Sequence, residues 1–157
     1  MGIPKVGETP PEFELQTDSG ETVRLSDFRG KKVVLFFYPK AETPGCIKEA
    51  CGFRDDYSRF LKAGIVVLGI SPDTVRSQAD FSAKYSLPYP LLADADHKVA
   101  EAYGVWNPKK LFFFGVAYVR RTTFVIDESG RISHVYEGVN PVGHSQEVFA
   151  QLTTAGS

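Results

Sequence analysis

The sequence predicts an α/β fold, a central mixed sheet flanked by helices with an N-terminal β-hairpin, and three patterns predict it. Short runs rich in β-branched and aromatic residues recur along the chain. Segments with apolar residues at helical spacing lie between them, and glycine or other turn residues mark the junctions. The 157 residues, 43% hydrophobic and 24% charged, suit one globular domain over 1–157 with material for a two-sided core.

In chain order, Phe13–Leu15 and Thr22–Leu25, joined through Asp18-Ser19-Gly20, predict the hairpin. Val33–Tyr38 and Ile65–Ile70 read as buried strands. Between them, Pro44 to Leu61 puts Cys46, Ala50, Phe53, Tyr57, Phe60 and Leu61 on one helical stripe, with Gly64 as the stop. Val75–Tyr85 reads as a helix, Pro90–Ala93 as a short strand and Asp96–Tyr103 as a further helix. Thr122–Ile126 and Ile132–Tyr136 are strands whose link, Asp127-Glu128-Ser129-Gly130, reads as a hairpin turn and hence an antiparallel edge. Ser145–Leu152 predicts the last helix.

Charge and cysteine usage narrow the function. Eighteen Lys and Arg against 19 acidic residues leave no basic field for a phosphate backbone, so nucleic acid is not expected as a partner. The N-terminus lacks the apolar stretch of a signal peptide, and no apolar run approaches the ~20 residues that span a bilayer, so a cytoplasmic protein without a membrane segment is expected. In that compartment two cysteines point to catalysis or redox exchange rather than to a structural staple. Cys46 and Cys51 match neither Cys-x-x-Cys nor a zinc knuckle, and His97, His134 and His144 are scattered, so neither a metal nor a cofactor is expected.

Cys46 has a distinctive address. Thr43 is a good N-cap and Pro44 a favoured first helical residue, which puts Cys46 at the third helical position. There the unpaired N–H groups and the positive end of the helix dipole favour a thiolate, the nucleophilic form of the side chain. The competing reading is a small apolar cysteine that only packs.

Pro39-x-x-x-Thr43-x-x-Cys46, between a buried strand and a helix, resembles the active-site motif of the peroxiredoxin family. Gly45-Cys46-x-x-Glu49-Ala50-Cys51 is similar to its Q-type, or bacterioferritin comigratory protein, branch. Arg121-Thr122-Thr123-Phe124-Val125-Ile126-Asp127 resembles the strand that brings the family's arginine to the cysteine. Tyr103-Gly104-Val105-Trp106 and the opening Gly7-x-x-x-Pro11-x-Phe13 extend the likeness along the chain. The resemblance implies a thioredoxin-like fold and a peroxidase for hydrogen peroxide and organic hydroperoxides that uses no metal or haem. It implies that Cys46 is the peroxidatic nucleophile and Cys51 the resolving cysteine, that Thr43 and Arg121 bond the peroxide oxygens, that Pro39 shields the pocket from water, and that a thioredoxin-like dithiol protein is the reductant.

Residue by residue, plainer roles remain open. Thr43 could be only a cap, Pro39 only a strand terminator, and Arg121 a solvated strand residue. Arg120 competes with Arg121, because a slip of one residue reverses which side chain faces the pocket. Glu49 is expected in ion contacts on the helix surface or in the site. On an intact helix, Cys46 and Cys51 would lie about 140° apart with Cα atoms ~8–9 Å apart. A disulfide needs less than about 7 Å, so joining them requires at least one turn to unwind. The chain is expected as a monomer or homodimer. The apolar segment Leu111 to Tyr118, unlike the polar loop associated with this branch, is a candidate interface, the alternative being that its side chains extend a buried strand. Two alternatives share the fold: a thiol–disulfide oxidoreductase, whose Cys-x-x-Cys is absent, and a non-catalytic redox sensor or holdase.

Overall fold

A computed structural model describes residues 2–108 and 117–153. Its elements are β1 (Glu14–Thr17), β2 (Thr22–Arg24), a 3-10 turn (Leu25–Phe28), β3 (Lys32–Phe37), α1 (Pro44–Lys62), β4 (Ile65–Ser71), α2 (Val75–Tyr85) and β5 (Leu91–Ala93). After these come α3 (Lys98–Ala102), β6 (Trp106–Asn107), β7 (Tyr118–Val119), β8 (Thr122–Ile126), β9 (Ile132–Tyr136) and α4 (His144–Thr153).

Seven strands form one sheet in the order β2-β1-β5-β4-β3-β8-β9. β3, β4 and β5 run parallel in its centre. Antiparallel pairs close both sides: β8 on β3 and β9 on β8 at one, β1 on β5 and β2 on β1 at the other. The sequence indicated the first of these edges and the β1–β2 hairpin of the second, but not the docking of β1 on β5. The pair β6–β7, with two residues in each strand, is too short to leave a periodic signal.

Period-two alternation divides the core between the two faces of the sheet. Val34, Phe36 and the adjoining Tyr38 pack with Phe53, Phe60, Phe81, Tyr89 and Val148, beneath α1, α2 and α4. Val33, Leu35 and Phe37 pack on the other face with Tyr103, Val105, Phe124 and Ile126. This is the thioredoxin-like arrangement expected from the resemblance.

Three details depart from the expected pattern. Leu61 is 62% exposed, because the buried stripe of α1 centres on Cys46, Glu49, Phe53 and Phe60 and leaves it turned outward in the last turn. α3 begins two residues later than expected. His97 takes a left-handed φ of 53°, and the Asp94 carboxylate accepts the Val99 and Ala100 N–H groups, which fixes the helix start there. Of the candidate interface Leu111 to Tyr118, residues 111–116 lie outside the described residues. Tyr118 is paired in β7 and exposed.

Gly69 in β4 shows how tightly the α1 face is filled. A Cβ there would stand 2.9 Å from both Leu91 Cδ2 and Phe36 Cζ, and the Phe36 ring is itself stacked on Phe53 at 4.6 Å. Gly69→Ala is therefore expected to destabilise by about 1–3 kcal/mol through overpacking, lowering Tm by roughly 3–10 °C. An unchanged Tm in thermal unfolding would show that this layer has slack.

Candidate active site

The chain leaves β3 at Phe37 and runs through residues 38–43 into α1, so Pro39, Thr43 and Cys46 all arrive from one end of a central strand. β8 lies antiparallel beside β3 with Thr122 opposite Phe37. Arg121, immediately before β8, is thereby brought to the same end of the sheet. Alternation fixes its side. Thr123 faces α4, where its Oγ1 bonds His144 Nε2 at 2.9 Å, and Val125 packs with Phe53 of α1. Arg121 shares their face. Arg120 is exposed, and its N–H bonds the Val105 carbonyl at 2.8 Å. The rivalry between the two arginines is decided by this register.

Arg121 Nη1 donates to Cys46 Sγ at 3.5 Å and to Glu49 Oε1 at 2.8 Å. Cys46 is 1% exposed, and the Glu49 side chain is fully buried. Gly45 makes room for the guanidinium, since a Cβ there would lie 2.9 Å from Arg121 Nη2. Ile47 N–H, bonded to the Thr43 carbonyl at 2.8 Å, opens the helical ladder, so the Cys46 N–H precedes it at the positive end of α1.

Burial outweighs the attraction of Arg121 for Glu49 and pushes the carboxyl up to about 7. Its Oε2 has no hydrogen-bond partner among the described residues. Burial also works against the charge on Arg121. The facing Cys46 sulfur and Glu49 carboxylate more than offset this and raise the guanidinium above its ordinary range.

Thr43 occupies the N-cap position with extended backbone (φ −83°, ψ 152°), but its hydroxyl does not cap α1. It donates instead to the Lys40 carbonyl at 2.9 Å. The expected side-chain cap is thus corrected: the hydroxyl is directed back to the loop carbonyl of Lys40 and accepts from neither the Gly45 nor the Cys46 N–H, the groups that a cap would serve. Pro39 is half-buried directly after Tyr38. Cys51 is a half-buried free thiol on the unbroken helix. Glu49 is the one partner whose importance the sequence understated. Its i, i+3 spacing from Cys46 on one helix face was the available signal.

The arrangement suits a nucleophilic sulfur with a cationic donor ready for charge that develops on an attacked oxygen. Among the described residues, no three of His, Cys, Asp or Glu converge to hold a metal ion, and no helix is long and apolar enough to cross a membrane.

A model of the AhpC/TSA family matches residues 6–135. A putative bcp peroxiredoxin of Coxiella burnetii is 52% identical over 148 residues, covering 94% of this chain and 98% of that protein. A crystal structure of a mutant PrxQ from Xylella fastidiosa is similar with a TM-score of 0.93 and 30% identity, over 100% of both chains. The bacterioferritin comigratory protein of Xanthomonas campestris, studied in trapped complexes for its alkyl peroxide reduction activity, is similar with a TM-score of 0.88 and 30% identity, also over 100% of both.

The raised Glu49 carboxyl predicts a pH signature. The folded protein binds this proton more tightly than the unfolded chain does, so Glu49 adds its full stabilisation below its ordinary value of 4.5 and loses it as pH rises through about 7. The stability of the wild type relative to Glu49→Gln should fall by at most about 3 kcal/mol over that window. Urea unfolding of both proteins at several pH values checks this, and a constant difference would contradict it.

Proposed function

The chain belongs to the AhpC/TSA family and is a thiol-dependent peroxidase of the Bcp peroxiredoxin kind, and we propose that Cys46 is its peroxidatic nucleophile and Cys51 its resolving cysteine. The observation that supports this assignment is the Arg121 guanidinium seated on the buried Cys46 sulfur. The substrate is a hydroperoxide, either hydrogen peroxide or an organic hydroperoxide.

In the first step the Cys46 thiolate attacks one peroxide oxygen. An S–O bond forms as the O–O bond breaks, the departing oxygen leaves as water or an alcohol after taking a proton, and Cys46 becomes a sulfenic acid. Arg121 stabilises the thiolate before attack, and its remaining N–H groups can meet the departing oxygen as it gains charge. The Thr43 hydroxyl has committed its proton to Lys40, so its lone pairs are free to accept the hydroperoxide O–H. Pro39 limits the access of water.

In the second step the Cys51 thiolate attacks the Cys46 sulfur, an S–S bond forms and the hydroxyl leaves as water. The helix must unwind for this, since both cysteines lie within unbroken α1. Two glycines in the affected stretch, Gly45 and Gly52, weaken it by about 1 kcal/mol each relative to alanine. A thioredoxin-like dithiol protein then returns the pair to thiols by disulfide exchange. A cytoplasmic location is part of this reading.

Peroxide consumption with a dithiol reductant tests the roles. Cys46→Ser is expected to abolish it with the fold intact, and Arg121→Ala to lower it roughly 10²-fold or more, by analogy with loss of an oxyanion donor. Activity within a few-fold of wild type in either variant would contradict the assignment. Peroxide should produce an intramolecular Cys46–Cys51 disulfide with faster amide exchange over residues 44–53. Mass spectrometry finding only intermolecular disulfides would remove Cys51 from its role.

A further inference from the structure

We propose that Asp73 is a positioning residue for the peroxide site, acting on Thr43 through the peptide unit between Lys40 and Ala41. The inference rests on the roles given above to Cys46 and Thr43. Asp73 follows β4, and its Oδ2 accepts the Ala41 N–H at 2.8 Å. The carbonyl of the same peptide unit, on Lys40, accepts the Thr43 hydroxyl at 2.9 Å. A peptide unit is planar, so fixing its N–H end fixes its C=O end as well. Asp73 therefore sets the direction of the group that orients the Thr43 hydroxyl.

The carboxylate is itself well held. Oδ2 also accepts the Ser71 hydroxyl at 2.6 Å, and Oδ1 accepts that of Ser77 at 3.4 Å. Ser71 Oγ in turn accepts Gln78 Nε2 at 2.9 Å. Gln78 Nε2 also reaches the Leu92 carbonyl at 2.7 Å, and its Oε1 accepts the Tyr38 hydroxyl at 2.6 Å. Ser71, Gln78 and Tyr38 are buried. The loop is thus moored at Tyr38 and Ala41 to a single polar network built on the end of β4 and the start of α2.

Backbone strain shows that the loop needs such a mooring. Glu42, between Ala41 and Thr43, takes a φ of 64°, a left-handed conformation that a non-glycine residue keeps only where its surroundings determine it. The Glu42 side chain pairs with Lys84 at 3.3 Å, but that contact is solvent-exposed and worth little. The bond from Ala41, itself buried, is the stronger constraint on the turn.

The test is kcat/KM for hydrogen peroxide in the whole protein, with the rate at which dithiothreitol reduces the preformed disulfide measured separately. Asp73→Ala is expected to lower kcat/KM about 10-fold or more, since a misplacement of 1 Å can cost about 10²-fold. Asp73→Asn, which keeps an acceptor for Ala41, should stay within about 3-fold. On a Thr43→Val background, Asp73→Ala should add less than about 2-fold, because the two act as one unit. Disulfide reduction should be unchanged throughout. Asp73→Glu, which shifts the acceptor by one methylene, should show the same loss and serves if Asp73→Ala does not fold. Full activity in Asp73→Ala, fully additive losses with Thr43→Val, or an equal slowing of disulfide reduction would each overturn the proposal while the wild type still consumed peroxide. A wild type that consumed none would overturn the reading beneath it too.

Discussion

The contact between the Arg121 guanidinium and the Cys46 sulfur organises this molecule. Neither residue could reach the other without the antiparallel pairing of β8 on β3, which puts the end of one strand beside the beginning of the other. Parallel pairing at that position would have sent Arg121 to the opposite end of the strands. Gly45 supplies the space, and Glu49 supplies a second anchor one turn along the helix. The ion pair is not chiefly a stabilising feature: a fully buried carboxylate with one oxygen unpartnered among the described residues carries a desolvation penalty that its arginine does not remove. Glu49 fixes where the guanidinium sits, at a cost to stability.

The helix that bears Cys46 meets two opposing requirements. It must present the sulfur at a formed N-terminus, and in the proposed cycle it must open far enough for Cys51 to arrive. Its glycines fit both. Gly45 admits Arg121. Gly52 admits Ser145 of α4, whose Oγ would stand 3.1 Å from a Cβ there and which donates to Asp56 at 2.7 Å. Beyond this point Phe53 and Phe60 are wholly buried against Phe36 and Phe149. The first two turns therefore rest on few large apolar contacts, and the later turns on many.

Much of this was legible in the sequence, for identifiable reasons. β8, β9 and α2 were bounded correctly because their patterns are strong and end at clear turns, as at Gly130, which takes a φ of 86°. Cys46 at the helix start followed from Thr43 and Pro44 alone. Tertiary facts were less accessible. Periodicity could not tell that Glu49 would be buried, since a glutamate on a stripe beside cysteine and alanine gives no apolar signal. Arg120 and Arg121 could be separated only by the register of β8. The mooring of Ala41 to Asp73 joins residues 32 apart in sequence. Leu61 failed because Phe60 takes the inward position in the last turn, and the next residue, about 100° further round the helix, is turned outward.

Gly45→Ala tests the central contact most directly, because it should leave the helix as stable or more so while displacing the guanidinium. With far-UV circular dichroism and Tm as controls, the rate of hydrogen peroxide reduction should fall about 10-fold or more. A variant that is fully folded and reduces peroxide as fast as the wild type would show that the seating of Arg121 on Cys46 is not what the activity depends on.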